Sequence, residues 1–328
     1  MQFTRLFPGI ILAVILAITA RQLAQLPMLS ILGAMIIAIF LGIALRAPAA
    51  LPMGQFQPGV GFTAKYLLRL GIILMGLRLD LSDIVAAGWQ TMALDLFSVV
   101  FTISVIHILG RKYTVDRKLT TLLAVGTGVC GAAAIGAVAP LIKAKDEDVA
   151  VSVAIIALLG TVFSVAYIML LPVLGLDAQD FGTFAGATLH ELAHVIAAAE
   201  PDGPISGETA ILVKLGRVAL LTPVAMYIGW LYTRGKQQET AAGAPIPWFL
   251  FGFLGMALVN TLHILPQQLS GQLITASAFL ITMAMAAMGL NVNLVSFLRV
   301  GHHPVLICLI GSLLLSLTGL LLVRVIFQ

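Results

Sequence analysis

The chain has 328 residues, 60% of them hydrophobic and 10% charged, with a mean hydropathy of +1.08. A soluble domain of this size carries about 25% charged residues, so the composition excludes an ordinary soluble enzyme. The net charge of +4 is spread thinly and offers no patch suited to nucleic acid. The two cysteines, Cys130 and Cys308, lie in apolar segments, which excludes a disulfide framework or a Cys-based metal site.

Apolar runs near the roughly 20 residues that cross a bilayer recur along the chain. They fall at 7–24, 29–46, 62–79, 84–109, 119–142, 148–173, 181–199, 207–234, 246–266, 271–290 and 303–326. The expected fold is an all-α polytopic membrane protein, a single integral membrane domain over 1–328 with about 9–11 membrane segments. The first run follows Arg5, lacks a small-residue cleavage site and reads as a retained helix. Two runs are poor simple spans. Segment 119–142 carries "GTGVCG" (Gly126–Gly131) at its centre. Segment 181–199 is short, contains Gly182 and Gly186, and puts His190, Glu191 and His194 at mid-membrane depth. Glycine weakens a helix, and broken backbone inside a bilayer persists only where protein or a water-filled cavity covers it. Both runs are expected to be discontinuous elements.

An internal repeat bears on their layout. "MGLRLDLSDIVAAG" (Met75–Gly88) aligns without a gap on "MGLNVNLVSFLRVG" (Met288–Gly301), and each copy separates two apolar runs. If all eleven runs cross, the two copies are inverted but the two broken elements run the same way. If both broken elements are re-entrant hairpins, the inversion holds throughout. Hairpins leave twelve Lys and Arg on one face and three on the other; eleven crossings move Lys143 and Lys145 and give ten against five. The positive-inside rule then favours nine spans plus two hairpins, with a cytoplasmic N-terminus. Inverted repeats with paired discontinuous elements are the architecture of secondary transporters, whose substrates bind where half-helix ends meet.

Three cations lie inside the apolar runs: Arg69, Lys214 and Arg217. Each costs at least about 2.5 kcal/mol to insert. Arg69 is close enough to its span end to snorkel. Lys214 and Arg217 are three apart in "ILVKLGRVALL" and share a helix face. They either pair with Glu191 or Glu208, or snorkel, or build an anion site. The glycine-rich break precedes a small-residue helix, whose N-terminal N–H groups and positive dipole end suit an anion, with Thr127 as a further donor. Gly126, Thr127, Gly128, Cys130, Gly131, His190, Glu191, Lys214 and Arg217 are thus the candidate substrate-binding residues. His190, Glu191, His194 and Asp95 are candidates for proton coupling. Asp95 reads equally as a structural partner of Arg69 or a polar contact between repeats. Asn291 and Asn293 are expected to cap or bond locally, and the acids of "KAKDEDVA" (Lys143–Ala150) to sit at the start of the next helix.

"HELAHVIAAAE" contains the H-E-x-x-H spacing of zinc peptidases, in which two His on one helix face bind the metal and the Glu acts as general base. An intramembrane protease of this kind needs a third ligand on another membrane segment. The acids that follow, Glu200, Asp202, Glu208 and Glu239, sit in or beside loops, which leaves only His263, His302 and His303. No metal and no cofactor are expected, and a zinc protease stands as the alternative from another functional class.

Three motifs carry a family resemblance: "GTGVCGAAAIGAVAPLIKAKDEDVAVSVAII", "GATLHELAHVIAAA" and "VKLGRVALLTP". In this order they resemble the YeiH-type sulfate exporter family over essentially the whole chain. That family is similar to bile-acid/sodium symporters and cation/proton antiporters, and "MGLRLDLSD" resembles a motif of the symporter branch. The relationship implies crossing broken helices, against the charge count. It also implies export of a small inorganic or sulfonate anion (sulfate, sulfite or sulfonate class) across the bacterial inner membrane by alternating access. Protons or sodium would be the coupling ion and a homodimer the plausible assembly, by analogy alone. The family often has Gln where this chain has His194, which argues against metal. It often has a hydroxyl residue where this chain has Ala132, Ala133 and Ala134. A cation/proton antiporter, suggested by Asp95 and Glu191, is the alternative within transport.

Overall fold

The computed structural model describes residues 5–26, 33–46, 53–234, 248–291 and 301–326. Among these the chain is helical throughout, with no strand. Six helices are long and apolar enough to cross a membrane: Gly54–Arg78, Gly88–Lys112, Asp146–Leu174, Pro204–Thr233, Gln267–Asn291 and His303–Ile326. Phe7–Leu23, Ala34–Arg46, Ala132–Ile142 and Trp248–Thr261 are shorter apolar helices. The protein is an all-α polytopic membrane protein. Its polarity is inside-out in the way lipid demands: helix Gly88–Lys112 buries Asp95, Ser98 and Thr102 while exposing Leu96, Val100 and Ile108.

The chain divides into two compact units. The first comprises Met1–Asp80, Ala139–Val151 and Met226–Gly301. It contains α1 (Phe7–Leu23), α2 (Ala34–Arg46), α3 (Met53–Phe62) and α4 (Leu68–Met75), the last two joined by a π turn, Thr63–Leu67. The expected span 62–79 therefore starts nine residues early, at Met53. α2 packs closely on the helix Gln267–Asn291. Gly42 and Gly289 let the backbones meet, since a Cβ on either would fall within 2.4 Å of the other helix's carbonyl oxygens.

The second unit comprises Leu81–Val138, Ser152–Ala225 and His302–Gln328. Its elements are α5 (Leu81–Ala86), α6 (Gly88–Lys112), α7 (Arg117–Val125), α8 (Ala132–Ile142), α9 (Asp146–Leu174), α10 (Ala178–Thr188), α11 (Leu192–Ala199), α12 (Pro204–Ala219) and α13 (Leu221–Thr233). α8, α9 and α13 continue into the first unit. After α14 (Trp248–Thr261) and α15 (Gln267–Asn291) of the first unit, α16 (His303–Ile326) completes the second. The run 207–234 is thus one span made of two helical segments. Pro223 has no N–H for the carbonyl of Ala219, and the helix turns at Leu220 between them.

The contacts within this unit fix the course of both broken elements. α7 runs antiparallel to α6, with His107 Nε2 bonded to Thr121 Oγ1 at 3.2 Å. α16 starts at the same face, where His303 stacks near Tyr113 (5.7 Å between rings). α9 and α16 run the same way: Tyr167 OH donates to Ser316 Oγ at 2.6 Å, and Arg324 Nη2 donates to the Leu174 carbonyl at 2.7 Å. α9 therefore enters from the face at which α7 begins, and α8 joins it through only Lys143–Lys145. The element α7–α8 leaves and returns to one face. Ile135 of α8 folds back onto Gly126.

α10 runs parallel to α12: Gly182 lies against Ser206, Gly186 against Ala210, and the Leu189 carbonyl against Lys214. α11 must run back for α12 to begin beside the start of α10. This element enters and returns at the opposite face, where α9 ends. Both broken elements are re-entrant, from opposite sides, which is the layout the charge count favours. The second copy of the repeat lies largely outside the described residues, at 292–300.

Candidate functional site

The first break is built by glycine. After α7, whose start is capped by the Asp116 carboxylate accepting from Lys118 and Leu119 N–H, residues Gly126–Cys130 form a π turn closed by Gly131 N–H donating to the Gly126 carbonyl at 2.9 Å. Gly131 then turns the chain with φ 71° and ψ −132°, a conformation open to glycine. At the second break α10 ends at Leu189, which is extended (φ −71°, ψ 157°). His190 and Glu191 form the bend before α11.

Lys214 and Arg217, both fully buried on α12, hold the two tips. Lys214 Nζ donates to the carbonyls of Val129 (2.9 Å) and Leu189 (2.7 Å). Arg217 Nε and Nη2 donate to the Gly128 carbonyl, and Nη2 also to Thr127 at 2.9 Å. Its Nη1 donates to Ala187 (2.8 Å) and Leu189 (3.0 Å), with Gly186 at 3.4 Å. These carbonyls are the open C-terminal ends of α7 and α10, where a cation is favoured. The expectation of cationic donors left free for an anion does not match this geometry. All five guanidinium N–H groups are engaged, and neither cation is paired with Glu191 or Glu208 or snorkels to an interface.

Glu191 makes the reciprocal contact. Its Oε1 accepts from the Ala132 N–H at 2.8 Å, so a carboxylate from the second break caps the N-terminus of α8 in the first. A Cβ at Gly131 would fall 2.2–2.7 Å from Cγ, Oε1 and Cδ of Glu191, so the glycine makes room for this contact. The small-residue helix thus presents an N-terminus that receives an anion, and the anion is the protein's own.

The remaining candidates divide. Thr127 is fully buried and directs its hydroxyl at Cys308 Sγ (4.0 Å). Cys130 is half-buried at the turn, and both cysteines are free thiols. His190 Nε2 lies 2.8 Å from Ser312 Oγ, while its Nδ1 is buried without a partner. His194, fully buried, has no hydrogen-bond partner on either nitrogen; its ring packs on Gly160, and its carbonyl accepts from Ser164 Oγ. Asp95 is buried on α6, with Oδ2 close against Gly216 between Lys214 and Arg217 and Oδ1 unpartnered. Asp95 lies in the second unit and Arg69 in the first.

Sequence reasoning missed Cys308, Ser312 and Ser316 on α16, and Tyr167, whose OH also bonds Thr188 at 2.8 Å. Their spacing of four residues on one face of an otherwise apolar helix is the signal that points to them. Asn291 does not bond locally: Nδ2 donates to Asp146 Oδ2 at 2.8 Å, 145 residues away. Asn293 lies outside the described residues. Asp146, Glu147 and Asp148 occupy the first turn of α9 as expected.

The zinc-type motif is split by the break. His190 precedes α11 and His194 lies within it, so the two rings do not share one helical face. Among the described residues, no three His, Cys, Asp or Glu side chains come together as a metal site.

No solved structure matches the chain. A UPF0324 membrane protein of Bacillus cereus is 46% identical over 318 residues, covering 96% of this chain and 90% of the relative. A Listeria monocytogenes relative of the same description is 45% identical over 316 residues (96% and 94%). One from Staphylococcus aureus is 39% identical over 318 residues (96% of each). The family model described as conserved hypothetical protein 698 matches residues 8–308, in agreement with the resemblance carried by the motifs. With most of its length matched in this way, the chain belongs to the conserved hypothetical protein 698 family of multi-pass membrane proteins.

Proposed function

We propose that this protein is a secondary transporter of the bacterial inner membrane that moves a small oxyanion of the sulfate, sulfite or sulfonate class outward by alternating access. The observation that carries the reading is the Glu191 carboxylate on the N-terminus of α8, where two re-entrant elements from opposite faces meet. A helix N-terminus with open N–H groups takes an anion without further help. Here the resident anion is a side chain on a bend, which can withdraw. Lys214 and Arg217 set the frame and the positive potential, while the backbone N–H groups at the starts of α8 and α11 are the proposed direct ligands.

Charge supports movement of the anion together with a proton. The four charged residues at the meeting point, Asp95, Glu191, Lys214 and Arg217, sum to zero when all are ionised. A substrate anion that replaces Glu191 at α8 restores the balance best when Glu191 takes up a proton. A divalent anion moving with one proton carries a single net negative charge, which a potential negative inside drives outward by about 2.3 kcal/mol per 100 mV. The face with Arg111, Lys112, Arg117, Lys118, Lys143 and Lys145 is cytoplasmic on this reading.

Labelled sulfate and sulfite flux in proteoliposomes tests it, with a pH gradient and a sodium gradient imposed separately. Flux should follow the pH gradient, and Glu191→Gln should abolish that dependence. Sodium or proton exchange with no anion flux would overturn it. One observation favours a second reading, a cation/proton antiporter: the unpartnered Oδ1 of buried Asp95. Such a protein would lose exchange in Asp95→Asn and be indifferent to sulfate.

A further inference from the structure

A cavity of about 230 Å³ is lined wholly by residues of the first unit. It is far larger than the roughly 10–15 Å³ that one water needs. Its polar lining is Lys65, Arg69, Asp146 and Asn291, and Leu68 and Met288 are among its apolar residues. Lys65 sits in the π turn Thr63–Leu67, where Leu68 N–H donates to the Thr63 carbonyl, and Arg69 follows in the first turn of α4. Lys65 and Arg69, four residues apart, share a helix face and line one cavity; π turns inside helices often mark functional sites. Arg69 Nε is buried and has no hydrogen-bond partner, and its guanidinium lies 5.8 Å over the Phe249 ring. On the other side Asn291 is fixed by two bonds. It accepts from Gln57 Nε2 at 3.1 Å and donates to Asp146 Oδ2 at 2.8 Å.

The lining discriminates among ligand classes. A simple anion would meet the Asp146 carboxylate, and a simple cation would meet Lys65 and Arg69. A molecule carrying both charges, separated by a short methylene link, satisfies both ends and lays its stem on Leu68 and Met288. We propose that this cavity is a binding site for a zwitterion, with a phosphate or sulfonate group on Lys65 and Arg69 and an ammonium group on Asp146. Two sources offer that chemistry: the headgroup of phosphatidylethanolamine, or a free aminoalkyl phosphate or sulfonate. The inference does not rest on the transport reading.

The test uses the full-length protein, delipidated in detergent. Thermal shift with free phosphoethanolamine and 2-aminoethanesulfonate, against inorganic phosphate and ethylamine, reads the solute arm. Native mass spectrometry with phosphatidylethanolamine against phosphatidylglycerol reads the lipid arm. The zwitterion of at least one arm should bind about tenfold tighter than its singly charged counterpart. Lys65→Met, Arg69→Met and Asp146→Asn should each remove that preference while leaving an unliganded, monodisperse protein. Binding in one arm alone identifies the source. Equal binding of the singly charged probes, no binding in either arm, or a preference unchanged in all three variants overturns the proposal.

Discussion

Arg217 offers five N–H groups, and the carbonyls of Thr127, Gly128, Gly186, Ala187 and Leu189 take them up. A lysine at this position keeps the charge but cannot fork, and leaves buried carbonyls unpaired at about 1–3 kcal/mol each. Arg217→Lys should therefore lower stability by about 2–5 kcal/mol, measured as a fall in Tm of the detergent-purified protein; a Tm within error of wild type would contradict the assignment. Gly131 makes a different kind of prediction. Alanine there faces both a positive φ of 71° and the Glu191 side chain 2.2 Å from its Cβ. The positive-φ conformation alone, with ψ −132°, costs an alanine about 1–3 kcal/mol, and Glu191 would be pushed off the α8 N-terminus. Gly131→Ala should lose both Tm and proton-dependent flux, whereas Gly175→Ala, also at positive φ but in open space, should lose only the former.

At the scale of the element, the two breaks are legible in the sequence, because "GTGVCG" and the short glycine-bearing run before His190 leave the chain few other options. Their re-entrant course is legible only indirectly, through lysines 143 and 145, which one layout puts with the other cations and the other does not. What the sequence does not disclose is where hydrogen-bond donors go. Lys214 and Arg217 read as free charge because the carbonyls they satisfy carry no side-chain signature, and become acceptors only once two helices end beside α12. The zinc spacing misleads for the related reason that H-E-x-x-H implies metal only on a continuous helix, and the helix begins after His190. Purified protein should accordingly hold no stoichiometric zinc, with His190→Ala leaving metal content unchanged in elemental analysis; one zinc per chain lost in that variant would revive the protease reading.

For the whole molecule, the consequential feature is that both breaks, Gly126–Gly131 and Leu189–Glu191, belong to one compact unit, which on the proposed reading travels as a piece. Topology is directly measurable. In a background without Cys130 and Cys308, single cysteines replacing Asp116 and Lys143 should react with a membrane-impermeant thiol reagent from the same side. Cysteines replacing Asp177 and Gly203 should react only from the other. Opposite-side labelling of the Asp116 and Lys143 positions would mean that the first broken element crosses.

The central claim, that a substrate anion takes the place of Glu191 at the start of α8, is tested most directly by sulfate and sulfite binding to purified wild type and Glu191→Gln, from acid to neutral pH. Wild-type binding should strengthen as the pH falls and Glu191 becomes protonated. The glutamine variant should bind about tenfold tighter than wild type at neutral pH and lose the pH dependence. Binding in Glu191→Gln that keeps the wild-type pH dependence, or is weaker at every pH, would contradict the account.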